Sequence, residues 1–263
     1  MRKLAWLVVV CCSSLASGDE LGDTADIVMP DGIGPEIKAT PRFVFDLGGF
    51  EVAPESYRST SPGIASLSKQ VVARAIEGKE AWIAADVTYS APCPMDDCSK
   101  RREPDTYGHI TILFDAGKPV AWHHAYAVQG APRSAPAAIP DHVDAGAAEV
   151  VKKLRATIGD PKAFARTVSQ RNDVVLFGSE PGERTVGGNQ VRAQLARWNL
   201  GFKVRDGVQA GVTSSKKVAW VAANLDARKP GDKRATAYRA LFVYEKHDDT
   251  GWDVVQLQFS TVR

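Results

Sequence analysis

Two stretches of this chain share one order of apolar and polar positions. Residues 80–87 read EAWIAADV and residues 218–225 read VAWVAANL, and six of the eight positions match in type at an offset of 138 residues. A polar, proline-containing loop follows each stretch, and then two further apolar runs separated by a tight turn: HITILF and VAWHHAYAV first, RALFVY and WDVVQLQFS later. Such short runs predict strands. Their recurrence over so long a period indicates duplicated domains rather than a solenoid.

Helical spacing is clearest in the second half. Residues 142–158 carry apolar side chains at helical spacing, and the Asp-Pro pair at 160–161 is typical of the start of a second helix. Residues 173–178 predict a strand, residues 189–200 predict a third helix, and Gly201 is placed to end that helix. About five strands follow.

The first half has a degenerate version of this plan. Residues 26–32 correspond to the strand before the third helix, and residues 37–52 to that helix and the strand after it, although a proline interrupts the helical part. Residues 64–77 predict a helix or, alternatively, a fourth strand. A stiff proline- and alanine-rich linker over 129–140 separates the halves. The predicted domains are 25–128 and 141–263.

The first 18 residues have the features of a cleavable secretory signal. Two basic residues precede an apolar run over residues 4–12, which is too short to span a bilayer, and small polar residues follow. We therefore predict export, to the periplasm or the medium, with cleavage near Asp19. Alternatives are an interfacial or buried helix, or a lipoprotein modified at Cys11 or Cys12. No later apolar stretch approaches 18 residues, so no transmembrane segment is predicted.

Charge argues against nucleic acid and anionic membranes as partners. Residues 1–18 carry two of the 33 Lys and Arg residues and none of the 31 Asp and Glu residues. The mature chain would therefore have no formal net charge and no basic footprint.

Two cysteines remain after the predicted cleavage. Cys93 and Cys98 lie in the short loop CPMDDC, and in an oxidising compartment they are expected to form a disulfide. The alternative is a metal site that includes Asp96 and Asp97. It lacks a second cysteine pair or a nearby histidine, so no metal is predicted.

The second half resembles the nuclear transport factor 2-like superfamily, in its SnoaL-like branch. The resemblance implies an α+β fold in which a curved antiparallel sheet wraps around helices as a cone with an apolar pocket. In the first half only the later strands share it, so we expect tandem cones with the first degenerate. The residues that carry the resemblance are 173–198, 218–222, 238–246 and 251–260.

The resemblance also implies what catalysis would need. Isomerases of this kind resemble one another in having a helix tyrosine and a carboxylate base after the first strand. No tyrosine occurs between Tyr126 and Tyr238, and Gly178 aligns with the base. Gln256 and Gln258 on the last strand are amides, which do not carry protons at neutral pH. We therefore expect no isomerase activity.

Histidines are the remaining candidates for proton transfer. His123 and His124 lie on opposite faces of one predicted strand, and His109 lies on the strand before it. With Asp86, a histidine pair could form a general base or a metal site. We favour hydrogen-bonded histidines without catalytic function.

Candidate ligand-binding residues are polar or aromatic positions on predicted strands and on the third helix. His124 aligns with Gln258, and His109 aligns with Arg239. The tryptophans fit a core as well as a ligand pocket. The candidates are Trp82, His109, Trp122 and His124 in the first domain, and Trp198, Trp220, Arg239, Gln256 and Gln258 in the second.

Two functions follow from these observations. The favoured hypothesis is an exported, non-catalytic module that binds a small apolar molecule or mediates protein association, without a cofactor. Its partners would be a small apolar ligand, a second copy, or the other domain of the same chain. The alternative is an enzyme acting on a small apolar substrate, with His124 or His109 as acid or base.

Overall fold

The computed structural model describes residues 44–45, 66–77, 80–89, 106–116, 118–126, 138–179, 182–248 and 251–261. These residues form two sheets and a set of helices that belongs to the second half of the chain. The fold class is α+β, as the sequence predicts. None of the described helices is long and apolar enough to cross a membrane.

The first half of the chain forms a five-stranded sheet with the order β1-β5-β4-β3-β2. Neighbouring strands are antiparallel, except that β1 runs parallel to β5. The strands are β1 (Val44–Phe45), β2 (Ser66–Glu77), β3 (Glu80–Tyr89), β4 (Thr106–Asp115) and β5 (Lys118–Tyr126).

Two predictions for the first half are decided by strand pairing. Residues 66–77 form a strand, so the helix predicted over 64–77 is wrong and the alternative strand is confirmed. Hydrogen bonding along β3 outweighs the local helical spacing. The strand parallel to β5 comes from residues 44–45, inside the stretch expected to form a helix and the next strand. Residues 26–32 lie outside the described residues.

The second half forms a seven-stranded sheet with the order β6-β9-β10-β11-β12-β7-β8. Its pairs are antiparallel, except that β6 is parallel to β9 and β7 is parallel to β12. The sheet curves around the helices and forms the expected cone. The strands are β6 (His142–Val143), β7 (Val175–Phe177), β8 (Arg184–Val186), β9 (Gly201–Val212), β10 (Val218–Arg228), β11 (Thr236–His247) and β12 (Gly251–Thr261).

Local sequence sets the helix ends. The Asp160 carboxylate accepts hydrogen bonds from the backbone N–H groups of Lys162 (2.8 Å) and Ala163 (3.1 Å), which caps the second helix as predicted. The third helix ends at Asn199, which adopts the left-handed conformation with φ 50°. Gly201 begins β9 instead of ending the helix, since asparagine tolerates that conformation. The helices are α1 (Ala148–Thr157), α2 (Pro161–Arg166) and α3 (Gly188–Trp198), and a 3₁₀ turn (Ala145–Ala147) precedes α1.

The two faces of the seven-stranded sheet pack against different parts of the chain. The inner face packs on the helices, where residues such as Leu154, Phe242 and Phe259 form one apolar core. The outer face packs on the five-stranded sheet through a second core that includes Trp82 and Trp220. We call the contact between the two sheets the junction. Because β-strand side chains alternate between faces, both cores draw on the same strands.

The two sheets share an arrangement. The order β1-β5-β4-β3-β2 has the same pairing as β7-β12-β11-β10-β9, including one parallel pair at the corresponding place. Both sheets also contain an irregularity between their last two long strands. In the first sheet it leaves Val120 as an extra residue in the pairing of β4 with β5, and in the second it does the same for Val255 between β11 and β12.

Candidate functional site

The polar side chains predicted to line the cone lie in the junction. The Gln258 side-chain oxygen accepts a hydrogen bond from the Thr111 hydroxyl at 2.6 Å, and its amide donates to the His109 carbonyl at 3.0 Å. The Gln256 amide donates to the same Thr111 hydroxyl at 2.6 Å. Arg239 is buried on this outer face as well, 1% exposed. These groups occupy the junction, not the concave interior proposed for them.

The irregularity at Val255 determines which side chains of β12 face outwards. Val254 packs in the inner core, whereas Val255 packs in the junction. From Gln256 onwards alternate residues point outwards, so Gln258 also reaches the first sheet. Alternating apolar and polar residues show that a strand has two different faces. A bulge of one residue reverses the faces to which the following side chains point. The apolar pattern around the two glutamines therefore does not reveal which face is inside.

His109 and Asp86 meet at the edge of the junction. The two side chains are 2.9 Å apart, Nδ1 to Oδ1, and the second carboxylate oxygen of Asp86 accepts a hydrogen bond from Arg184 of β8. The imidazole stacks on Phe177, with ring centroids 4.3 Å apart and an interplanar angle of 9°. Of the suggested group of two histidines and Asp86, the structure shows His109 in contact with Asp86. His109 is only 4% exposed and its ring is covered, so the pair holds the sheets together.

His123, rather than His124, occupies the position of Gln258 in its sheet. Thr111 pairs with His123 in the first sheet, and the corresponding Leu241 pairs with Gln258 in the second. The His123 ring is fully buried and lies 3.0 Å from the Ser260 hydroxyl. Burial lowers its pKa well below the usual value, and the charge of Arg239 and the nearby His109 lower it further. His123 is therefore neutral at pH 7.

The predicted alignment of His124 with Gln258 is therefore wrong by one residue. Two adjacent histidines do not show which of the two points to a given face of the strand. The side chains of His124 and Trp122 lie outside the described residues. The loop with Cys93 and Cys98 does so as well.

The remaining tryptophans divide between the two faces. Trp82 and Trp220 are buried in the junction, where the Trp82 indole donates to Glu245 at 2.8 Å. Glu245 also binds Arg171, which strengthens this corner of the contact. Trp198, by contrast, packs at the edge of the inner core and is only partly buried. Of the described tryptophan candidates, Trp198 therefore lines the interior of the cone.

Aromatic side chains converge at one end of the cone, where α3 ends and β11 begins. Phe259 stacks on Phe202 (centroids 5.2 Å apart) and meets Trp198 edge to face at 5.8 Å. Tyr238 meets Phe202 edge to face at 6.0 Å. Trp198 and Tyr238 are partly exposed, whereas the two phenylalanines are buried. We call Trp198, Phe202, Tyr238 and Phe259 the mouth of the cone.

A carboxylate that the sequence reading missed lies beside the mouth. A side chain at Gly178 would collide with the carboxylate of Glu183, which therefore lies against the glycine backbone. The Gly178 N–H donates to the Glu183 carbonyl at 2.8 Å and holds this β7–β8 hairpin. Burial raises the pKa of Tyr238, and the negative charge of Glu183 raises it further. In the sequence, Gly178 is the signal for this contact, because only glycine lets another side chain approach the backbone so closely.

Comparison with protein families finds a similarity in the second half of the chain. A family model described as a SnoaL-like domain matches residues 154–263. Residues 154–263 are therefore similar in sequence to SnoaL-like domains. No curated protein sequence matches the chain.

Three similar solved structures each cover less than half of the chain. An NTF2-like protein of unknown function from Pseudomonas putida KT2440 is 12% identical, with a TM-score of 0.35, and the match covers 43% of this chain and 81% of that one. Nuclear transport factor 2 from Cryptosporidium parvum is 11% identical, with a TM-score of 0.34 and coverage of 43% and 89%. A ketosteroid isomerase-like protein from Erwinia carotovora atroseptica is 19% identical, with a TM-score of 0.30 and coverage of 42% and 98%.

Within the second half of the chain, polar groups are sparse on the inner face of the seven-stranded sheet. Tyr244 is 1% exposed, its hydroxyl has no hydrogen-bond partner, and burial raises its pKa. The described residues contain no group of three or more His, Cys, Asp or Glu side chains arranged to hold a metal ion. The mouth, with its aromatic rings and the Glu183 carboxylate, is therefore the candidate site of this half of the chain.

Proposed function

We propose that this protein is a non-catalytic binding module whose SnoaL-like domain takes up a small apolar molecule at the mouth of the cone. One observation carries the proposal: Trp198 and Tyr238 remain partly exposed at the end of a continuous aromatic array that leads into the core. Partly exposed aromatic surface beside a few polar groups is typical of small-molecule sites.

We propose that the outer face of the cone mediates the association of the two halves of the chain. Its apolar residues are covered by the first sheet, and polar contacts surround them at the edges. Glu80 binds the backbone and hydroxyl of Ser215, and Asp115 binds those of Ser214. Such a junction resembles the packing of two sheets in a β-sandwich. Intramolecular pairing of the two halves therefore accounts for this surface better than a homo-oligomer does.

The two halves are proposed to be tandem copies of one domain, the first degenerate. The shared strand order, the parallel pair and the irregularity at Val120 and Val255 support this origin. Trp82 and Trp220, which lie at the same place in the two repeated stretches, both pack in the junction.

Export is also part of the proposal, supported by the signal-like pattern of residues 1–18. The intact mass of exported protein should correspond to a chain that starts near Asp19 and contains a Cys93–Cys98 disulfide. A retained N-terminus or an added lipid mass would contradict export of the soluble form, and two free thiols would contradict the disulfide.

Binding of N-phenyl-1-naphthylamine, whose fluorescence rises in apolar surroundings, tests the proposed function. We expect saturable binding by the full-length protein and at least about tenfold weaker binding by Trp198→Ala, because the indole forms one wall of the mouth. Arg197→Ala, an exposed neighbour on α3, is the matched control and should bind like the wild type. Absence of saturable binding, or equal affinity in Trp198→Ala, would refute the proposal.

One observation favours a second candidate, an enzyme that transfers protons. The Glu183 carboxylate lies against Gly178, the position where the resemblance implies a base, and Tyr238 is nearby. His109 is a weaker candidate because its ring is covered by Phe177. Turnover of an isomerase substrate that is lost in Glu183→Gln, while the protein stays folded, would establish this alternative.

A further inference from the structure

We propose that the mouth binds amphiphilic anions, with the apolar body against the aromatic rings and the acidic head group at the loop between β10 and β11. This inference rests on the proposed function and names the class of ligand. The loop, residues 228–235, contains four basic residues and one acidic residue, and we call it the basic loop. Its basic residues are Arg228, Lys229, Lys233 and Arg234.

Strand pairing places the basic loop at the mouth. Ala227, the last buried residue of β10, lies between Phe202 of β9 and Thr236 of β11 in the sheet. Paired residues on neighbouring antiparallel strands have Cα atoms about 4.5–5.5 Å apart. The next residue, Arg228, is exposed and begins the loop. The basic loop therefore leaves the sheet beside Phe202 and returns to it two residues before Tyr238.

The tip of the basic loop has a shape that its own sequence determines. Pro230 and Gly231 occupy the central positions of a turn in which the Asp232 N–H donates to the Lys229 carbonyl at 3.1 Å. Gly231 has φ 90°, which a type II turn requires at this position and which favours glycine. The ends of such a turn lie within about 7 Å of each other. The turn therefore concentrates the basic residues of its two arms beside the mouth.

The positive charge of the basic loop is available to a ligand. Its four basic residues are exposed, and within the described part of the chain their side chains form no ion pair or hydrogen bond. Nearby acidic groups have other partners. Asp226 is paired with Arg205 at 3.3 Å, and the Glu183 carboxylate already has an interaction partner. Within the loop, Asp232 is the single acidic residue against four basic ones.

An apolar body with an acidic head group matches both parts of this site. Trp198 and Tyr238 are partly exposed, and their rings shield an apolar body from water. The head group stays at the rim, where the basic side chains attract it over about 8–10 Å at ordinary salt concentrations. A cationic head group would be repelled there, and a neutral one would gain nothing from the charge.

The ligand is expected to come from solution rather than from a membrane surface. The basic loop contains no large apolar side chain that could enter a bilayer. The exposed large apolar side chains of the described residues are Val143 and Val186, on β6 and β8. A free amphiphile and an anionic lipid share the same head-group chemistry, so the experiment has a separate arm for each.

Two isosteric probes test the inference in the full-length protein. Naphthalene-2-carboxylate and naphthalene-2-carboxamide have the same shape and differ in charge. Displacement of N-phenyl-1-naphthylamine at pH 7.5 and low salt measures both affinities. We expect the carboxylate to bind at least about fivefold more tightly than the carboxamide.

Removal of charge from the basic loop should abolish this preference. Lys229→Gln/Lys233→Gln should reduce the ratio to about twofold or less and leave the affinity for the uncharged dye unchanged. The matched control is Lys216→Gln/Lys246→Gln, which removes two exposed lysines at the opposite ends of β10 and β11. This control should keep the wild-type ratio.

The outcomes separate the inference from the proposed function. Equal affinities of the two probes, or an unchanged ratio in Lys229→Gln/Lys233→Gln, would refute the charge preference while saturable dye binding still supports an apolar site. If the dye itself does not bind, both proposals are refuted. Sedimentation of the protein with vesicles of phosphatidylglycerol, without displacement of the dye by the carboxylate, would assign the basic loop to a membrane and refute the inference.

The wild type decides even if the double variant fails to fold. The ratio of the two affinities should fall as salt is raised, because salt screens exposed charges. A ratio that does not depend on salt would overturn the inference.

Discussion

The two faces of the seven-stranded sheet bury side chains of opposite character. The outer face carries Arg239, Gln256 and Gln258 into the junction, where the first sheet covers them. The inner face is almost entirely apolar and ends at partly exposed rings. The difference shows that polar residues on a curved sheet do not by themselves indicate a ligand site. Here they join two sheets, and the candidate site lies where aromatic surface remains open.

Truncation of one tryptophan on each face should produce the largest contrast. Trp220→Ala removes a buried ring from the junction, and we expect the free energy of unfolding in urea to fall by about 3–5 kcal/mol. Trp198→Ala should cost less than half as much, because Trp198 is partly exposed, yet it should weaken dye binding more. Equal losses of stability would remove the distinction between a structural and a binding tryptophan.

Loss of the Thr111 hydroxyl should have an intermediate effect. This hydroxyl donates to Gln258 and accepts from Gln256, so Thr111→Val leaves two buried amide groups without this partner. We expect the free energy of unfolding to fall by about 1–3 kcal/mol. The exposed Thr236→Val serves as a control and should change stability by no more than about 0.5 kcal/mol. Dye binding should be unaffected, and a loss of binding would place the ligand in the junction.

At neutral pH His123 should give the smallest effect on stability, and this effect should grow as the pH falls. Because its pKa is lowered in the folded protein, the unfolded chain takes up the proton first as the pH falls below about 6.5. The free energy of unfolding should then decrease by up to about 1.4 kcal/mol per pH unit, and above pH 6.5 His123 should contribute no pH dependence.

His123→Gln keeps a partner for Ser260 and removes the titration. Urea denaturation between pH 5 and 7.5 should show a shallower slope in this variant than in the wild type. Identical slopes would mean that His123 does not report on the burial of the junction.

The strands and their order along the chain could be predicted because alternation and turn residues are local signals. The repeated stretches at 80–87 and 218–225 lie in β3 and β10, as their pattern indicated. The cap at Asp160 followed from local chemistry as well. Residues 66–77 are an exception, because local signals fit both a helix and a strand, and pairing with β3 decides for the strand.

The faces of the strands could not be predicted. The irregularity at Val255 and the phase of His123 depend on pairing between strands, and the chain alone leaves both undetermined. Glu183 was overlooked for a related reason. Its proximity to Gly178 arises from the β7–β8 hairpin, and the residue at position 178 alone does not reveal that contact.

Amide hydrogen exchange with and without N-phenyl-1-naphthylamine tests the central claim most directly. The dye should slow exchange at the mouth, in residues 196–204 and 236–240, because these segments carry Trp198, Phe202 and Tyr238. Strand β4, which contributes Thr111 to the junction, should exchange at the same rate in both samples. Protection of β4 without protection of the mouth would contradict the account, because the ligand would then lie between the two sheets.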